Sequence, residues 1–259
     1  MAAKEEGGFV ETIKTIVYAL LLAGLIRTLL FQPFWIPSGS MKSTLLIGDF
    51  LFVNKFAYGY SRYSCPFSLC PISGRILGAE PERGDVIVFR HPTNGEDYIK
   101  RLIGLPGDKV QMKGGVLFIN DSIAPQMADG TFSEIKENQG PLGGIPRCAN
   151  EPVGMGGECL SDKARETLPG GVTHVVLNIE DGSVDSTKVF EVPEGHYFFM
   201  GDNRDNSQDS RFAQTAGGVG MVPFENLIGR ADRIMFSSAG SSMLAFWTWR
   251  SDRYFKAVE

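Results

Sequence analysis

Trp35-Ile36-Pro37-Ser38-Gly39-Ser40-Met41 is where this chain changes character. Before it, from Ile16 to Ile36, the sequence is almost unbroken in apolarity. After it, Leu45 to Asn54 alternates or runs apolar in the manner of a half-buried strand. The first run is about the length of a bilayer-crossing helix and is apolar all round, so it has no single face for packing on a soluble core. The junction sets two serines two residues apart among apolar neighbours. Alone, a Ser-Gly-Ser of this kind is an ordinary loop.

A cleavable secretory signal is the main competing account of the apolar run. It would want a basic flank, but Lys4 and Lys14 stand against Glu5, Glu6 and Glu11. It would also want a small-x-small site, and Pro33-Phe34-Trp35-Ile36-Pro37 is the opposite. The expected layout is a tail over 1–15 and a retained anchor helix over 16–35. In it Arg27 snorkels toward headgroups, Phe31, Phe34 and Trp35 form an interfacial belt, and Pro33 marks the helix end.

The remaining chain reads as β. Its 259 residues include 31 glycines and 14 prolines, which favours many short strands with tight turns. Strands are expected at Asp85–Phe89, Tyr98–Ile103, His174–Ile179, Thr187–Val192, His196–Met200 and Asn226–Phe236. Lys109–Met112 and Val116–Ile119 read as a hairpin on Gly114-Gly115. Gly59–Gly78 is a loop, and residues 121 to about 171 lack periodicity. Leu244–Phe255 is rich in aromatic residues, read as packing on the core or, more sharply, as a membrane-surface contact.

Several function classes are disfavoured. A net charge of −5 argues against a nucleic-acid surface. No Gly-Lys pair occurs, so there is no Walker loop. Three scattered histidines and no His-Glu-x-x-His leave no zinc site. Four cysteines fall in two local pairs, Cys65/Cys70 and Cys148/Cys159. Each pair could close a disulfide loop in an oxidising compartment, and would be free thiols in a reducing one.

Two further stretches carry chemistry. In Asp97-Tyr98-Ile99-Lys100-Arg101-Leu102-Ile103, Lys100 shares a strand face with Tyr98 and Leu102. Apolar neighbours favour the neutral amine. A lysine near pKa ~10.4 must fall by roughly 2–3 units to act as a base near neutrality, about 3–4 kcal/mol. Arg101 alternates with Ile99 and Ile103 equally well, so periodicity does not say which cation points inward; only lysine can lose its proton. Gly201-Asp202-Asn203-Arg204-Asp205-Asn206-Ser207-Gln208-Asp209-Ser210-Arg211 is not a calcium loop, because ligand positions would fall on Arg204 or Ala216. No Gly-x-Ser-x-Gly is present for a Ser/His/Asp hydrolase.

Taken in order, the Ser40 stretch, Arg83–Phe89, the Lys100 stretch and the Asp-rich stretch resemble the boxes of type I signal peptidases, membrane-bound Ser/Lys proteases that remove secretory signal peptides. The resemblance covers roughly residues 30–111 and 185–236. It implies Ser40 as nucleophile and Lys100 as its general base, with Ser38 and the Ser40 N–H holding the oxyanion. It implies that Ser207 orients the lysine, that Asp209 pairs with Arg211, and that Asp202 pairs with Arg101. Phe34, Ile36, Met41, Leu45, Tyr98 and Ile99 match the family's pocket positions for small side chains. Ser43 departs from the family's usual proline, and the Cys65/Cys70 pair is not a general family feature.

The resulting expectation is a mainly β protein behind one N-terminal transmembrane helix. Antiparallel sheets form a catalytic core (36–111 and 193–259), interrupted by a smaller inserted β domain (112–192). No cofactor or metal is implied. The implied partners are signal-peptide-bearing preproteins, the phospholipid bilayer and nearby secretion machinery. The implied location is the inner (cytoplasmic) membrane, single-pass, with the catalytic domain on the outer, periplasmic face. A specialist for one exported substrate such as a pilin, and a catalytically silent tethered binding module, are the alternatives.

Overall fold

The computed structural model describes residues 8–65, 68, 70–240 and 242–258. Helix α1 runs Gly8–Leu29, and no residue of it is buried. Its 22 residues span roughly 33 Å at the α-helical rise, enough for a hydrocarbon core, and its mean hydropathy is 1.8. Glu11 in the first turn and Arg27 in the last complement the helix dipole. The Thr12 and Thr15 hydroxyls donate back to the carbonyls of Gly8 (2.7 Å) and Glu11 (2.9 Å), so neither is left unsatisfied on an apolar surface.

These bounds correct the expected 16–35 anchor and 1–15 tail. The helix begins by Gly8 and ends at Leu29, while residues 1–7 of the expected tail lie outside the described residues. Phe31–Trp35 is a strand, β1, paired antiparallel with β2 (Asp49–Asn54), Phe31 opposite Asn54 and Trp35 opposite Phe50. Apolar composition continues smoothly from helix into strand, so hydropathy alone does not mark the change. Pro33 is at home there because β1 is a sheet edge, where a missing N–H is tolerated.

Next come a two-residue ladder, β3 (Tyr60–Ser61) with β4 (Arg75–Ile76), then β5 (Val86–Arg90) and β6 (Asp97–Gly104). The hairpin β7 (Lys109–Lys113) and β8 (Val116–Ile119) turns on Gly114 (φ 55°) and Gly115 (φ 77°), as expected for a Gly-Gly turn. β9 (Ser122–Ile123) follows. β10 (Gln126–Ile135), β11 (Glu158–Thr167) and β12 (Thr173–Asn178) form a meander. β13 (Phe190–Glu191), β14 (His196–Met200), β15 (Val222–Pro223) and β16 (Leu227–Ser237) complete the strands.

Seven strands form one antiparallel sheet in the order β1-β2-β16-β5-β6-β14-β15. Its members come from 31–104 and 196–237, on both sides of the expected insert. The four-stranded sheet β13-β7-β8-β9 and the three-stranded sheet β10-β11-β12 come from between. The small sheet starts at Lys109, a little before the expected 112. β10 and β11 are two ten-residue strands in the stretch that lacked periodicity. β10 is largely exposed on both faces, so it carries no apolar alternation to read. Of the expected strand Thr187–Val192, only Phe190–Glu191 joins a ladder. Both cysteine pairs are bonded: Cys65–Cys70 within the 59–78 loop, and Cys148–Cys159, which ties the 136–157 loop to β11.

The core is split to suit these sheets. Val110, Met112, Leu117 and Ile119 of the small sheet pack against Ile103, Phe198 and Met200 of the large one. Ile36, Met41 and Leu45 pack with Leu51, Val86 and Ile234 beneath the chain that carries Ser40.

Candidate active site

Ser40 lies on the crossing from β1 to β2. That crossing is closed at its base by Ile36 N donating to Asp49 O (2.9 Å) and Gly48 N to Ile36 O (2.9 Å). The Asp49 carboxylate accepts from Leu46 N (2.8 Å) and from Nε and Nη2 of buried Arg253, and the same Nη2 also donates to the Thr44 carbonyl. The crossing is therefore held by its own backbone and by the C-terminal segment. Met41 and Leu45 point down into the core at 1% and 0% exposure.

β6 brings Lys100 to this crossing. Its Nζ lies 2.6 Å from Ser40 Oγ and donates to the Ile99 carbonyl at 3.0 Å. Ser40 is 7% exposed and Lys100 4%. Burial drives the Lys100 pKa down to about 8, against the opposing pull of the Asp209 and Asp202 carboxylates. About half of the amine is therefore neutral near pH 8, far more than an unperturbed lysine supplies, and a nucleophile's base requires the neutral form. Ser38 Oγ stands 3.5 Å from Ser40 Oγ at the exposed side of the pair.

The alternation left open between Lys100 and Arg101 is resolved by their partners. Arg101 turns to the other face, where Nε and Nη2 each donate to one Asp202 oxygen at 2.8 Å. Thr44 Oγ1 donates to Asp202 Oδ2 at 2.5 Å. Burial alone would raise the Asp202 pKa, but the charge and hydrogen bonds of Arg101 outweigh it and hold the carboxyl below the usual range. Asp209 is bound bidentately by Arg211 (2.9 and 3.0 Å) and by Gly201 N (3.0 Å), and it too is held low despite its burial. The expected pairs Asp202–Arg101 and Asp209–Arg211 are both formed.

Ser207 is placed differently from expectation. It is buried beside the pair, but its hydroxyl faces the Asp209 carboxylate without a geometrically complete hydrogen bond, and makes none to Lys100. Asp209 is the stronger acceptor, and the Lys100 amine already has Ser40 and Ile99. Gly201 permits the crowding: a Cβ there would fall 2.2 Å from Ser207 Oγ and 2.6 Å from the Ser40 carbonyl.

Next to the pair opens a cleft of about 340 Å³. Phe34, Ile36, Tyr98 and Ile99 line it as expected, with Trp35 and Val88. Met41 and Leu45 do not: they are core residues under its floor. Glu96, Asp97, Asn206 and Gln208 make its polar wall. Asn203 was not singled out from the sequence, although it sits inside the Asp-rich stretch. Its backbone N–H donates to the Ser40 carbonyl (3.0 Å) and its Nδ2 to the Gly39 carbonyl (3.1 Å), so it grips the crossing on both sides of the nucleophile. Among the described residues no three His, Cys, Asp or Glu side chains gather as a metal site.

A buried hydroxyl beside a desolvated amine, next to a cleft with apolar and polar walls, is equipped for acyl transfer. The family and the sequence relatives agree. The family described as "Signal peptidase, peptidase S26" matches residues 9–236. A signal peptidase I of Rickettsia canadensis (strain McKiel) is 43% identical over 235 residues, covering 87% of this chain and 79% of that protein. One of Rickettsia massiliae (strain Mtu5) is 43% identical over 249 residues, covering 91% and 80%. A crystal structure of a signal peptidase I from Enterococcus faecalis V583 is 26% identical, covers 59% of this chain and 97% of that one, and has a TM-score of 0.30. The chain belongs to the signal peptidase family, peptidase S26, and is a serine endopeptidase.

Proposed function

We propose that this protein removes N-terminal signal peptides from exported preproteins, with Ser40 as nucleophile and Lys100 as general base. The observation that carries the reading is the 2.6 Å approach of Lys100 Nζ to Ser40 Oγ in a buried setting. The neutral amine takes the Ser40 proton as Oγ attacks the scissile carbonyl. The developing oxyanion is met by the Ser38 hydroxyl and the Ser40 N–H; losing one such donor typically costs about 2.7–4 kcal/mol of transition-state stabilisation. The ammonium then gives its proton to the departing amine. With the proton gone, the amine activates the water that releases the acyl-enzyme. The shallow walls of Phe34, Tyr98 and Ile99 admit small side chains before the scissile bond and exclude large ones.

The rest of the chain supports the proposed setting. α1 is the single-pass anchor in the inner membrane, and the β body stands on the outer, periplasmic face beside the bilayer and the secretion machinery. Two bonded cysteine pairs suit an oxidising compartment. The test is a preprotein with a small-x-small site, incubated with wild type, Ser40→Ala and Lys100→Ala. Processing by wild type alone supports the reading; processing by either variant defeats it.

A further inference from the structure

Below the Ser40–Lys100 pair lies a buried set of charges that this chemistry does not consume. Glu166 of β11, fully buried, accepts from Arg204 Nη1 (3.0 Å) and Nη2 and from Gln126 Nε2 (2.9 Å). Burial alone would raise its pKa, but Arg204 outweighs that and keeps it ionised. His174 of β12 stands between two carboxylates, Nε2 lying 3.4 Å from Glu166 and 3.9 Å from Asp202. Burial pushes its pKa down to about 4, so it fills that gap as a neutral ring.

Arg204 belongs to the 201–211 loop, and the contacts from that loop run to both reacting groups. Asn203 holds the carbonyls of Gly39 and Ser40. Asp202 holds Arg101, the neighbour of Lys100. Leu177 of β12 adds a backbone bond to the Asp202 carbonyl (2.8 Å), and Arg211 donates to the Arg204 carbonyl. The three-stranded sheet thus touches neither reacting atom, yet it grips the one loop that touches the surroundings of each.

We propose that Glu166 is a positioning residue: from the inserted sheet it anchors Arg204, and through Asn203 and Asp202 it sets the register of Ser40 against Lys100. The proposal rests on the Ser40–Lys100 reading. It has an electrostatic signature. Arg101, Arg204 and Arg211 balance Asp202, Glu166 and Asp209, and Lys100 is the added ionisable group. Lys100 itself faces Asp202 and Asp209 from the loop, Ser40 from the crossing, and Tyr98 from its own strand. Removing the Glu166 charge leaves the Arg204 charge uncompensated beside Asp202 and Asp209, the two carboxylates that act on Lys100, which weakens their hold on the ammonium and favours the neutral amine. Removing the Arg204 charge does the reverse.

The test uses the full-length protein in detergent micelles with a peptide substrate, comparing wild type, Glu166→Gln, Glu166→Asp, Arg204→Gln and the Glu166→Gln/Arg204→Gln double variant. Glu166→Gln is expected to lower kcat by roughly tenfold or more while KM stays within about twofold, because the register of Ser40 against Lys100 is disturbed while the apolar cleft walls, Phe34 of β1 and Tyr98 and Ile99 of β6, stay in place. The acid limb of kcat/KM should move down by roughly half a unit to one unit in Glu166→Gln, up in Arg204→Gln, and return near wild type in the double variant. Glu166→Asp keeps the charge but retracts it, so kcat should fall with the limb unmoved. A wild-type kcat and limb in Glu166→Gln overturns the proposal. So do shifts of the same sign in both single variants, or a loss that disappears below the variant's melting temperature with the limb unmoved. Turnover by Ser40→Ala or Lys100→Ala defeats the dyad reading instead, whatever the Glu166 variants do.

Discussion

Lys100 is an amine held where its charge is unwelcome. Its pKa of about 8 in the folded protein, against 10.5 unperturbed, is caused first by burial. Below pH 8 the ammonium is present in both folded and unfolded chains, and the full desolvation cost opposes folding. As pH rises from about 8 to 10.5 the folded chain sheds its proton first, and that cost disappears. The group therefore destabilises by roughly 3 kcal/mol at pH 7 and by little at pH 10.5. Lys100→Met should remove this dependence. Subtracting its pH–stability curve from that of wild type should leave a difference that closes across this window; a flat difference would show that the amine is not desolvated. In wild type, kcat/KM should climb with pH through about 8 as the neutral amine accumulates. Much of this pair was legible in the sequence, because Ser40 and Lys100 sit in short boxes with recognisable neighbours. The placement of Ser207 was not, since its spacing in the stretch does not say whether its hydroxyl faces the Lys100 amine or the Asp209 carboxylate. Glu166, His174 and Arg204 were illegible for a related reason: single polar residues in a sequence give no sign that folding will bury them together.

At the scale of elements, the crossing that carries Ser40 is also tied to the insert. Lys42, two residues on and 3% exposed, donates from Nζ to both Glu134 oxygens of β10 (2.8 and 2.6 Å) and to Gln139 Oε1 (2.8 Å). Burial lowers its pKa, and the Glu134 charge and hydrogen bond resist that fall. Removing one partner of such a pair strands the other. Lys42→Ala should therefore destabilise by about 3 kcal/mol, and Lys42→Met/Glu134→Leu should recover most of it, as read by denaturant unfolding. Equal loss in single and double variants would mean the pair contributes only packing. The same elements show where sequence reasoning reached its limit. The β7–β8 hairpin was visible because its two glycines both take positive φ. The end of α1 was not, because only pairing with β2 turns Phe31–Trp35 into a strand. Met41 and Leu45 matched cleft positions, but apolar side chains look alike whether they line a cleft or lie under it.

Across the whole molecule, aromatic side chains link the end of α1 to the C-terminal turns. Phe31, just past α1, contacts Phe52 (6.3 Å between centroids) and Phe56 (5.7 Å). Phe52 leads to Phe50, Phe50 stacks on Phe236 (4.9 Å), and Phe236 stacks on Trp249 (4.4 Å). Beyond this band Leu244, Phe246 and Trp247 stand 86%, 70% and 76% exposed. In the aromatic tail Trp249 packs on the body, while Phe246 and Trp247 face outward. Exposed aromatic side chains near the end of an exposed apolar helix are suited to a headgroup layer, where an indole keeps its ring in an apolar zone and its N–H near water. Trp35 and Trp249 are partly covered by the body, so Trp247 is the natural reporter. In bilayers containing brominated lipid, the full-length protein should lose tryptophan fluorescence. Trp247→Phe should abolish most of that quenching while leaving signal from the other two. Unchanged quenching in the variant would place the aromatic tail away from the bilayer.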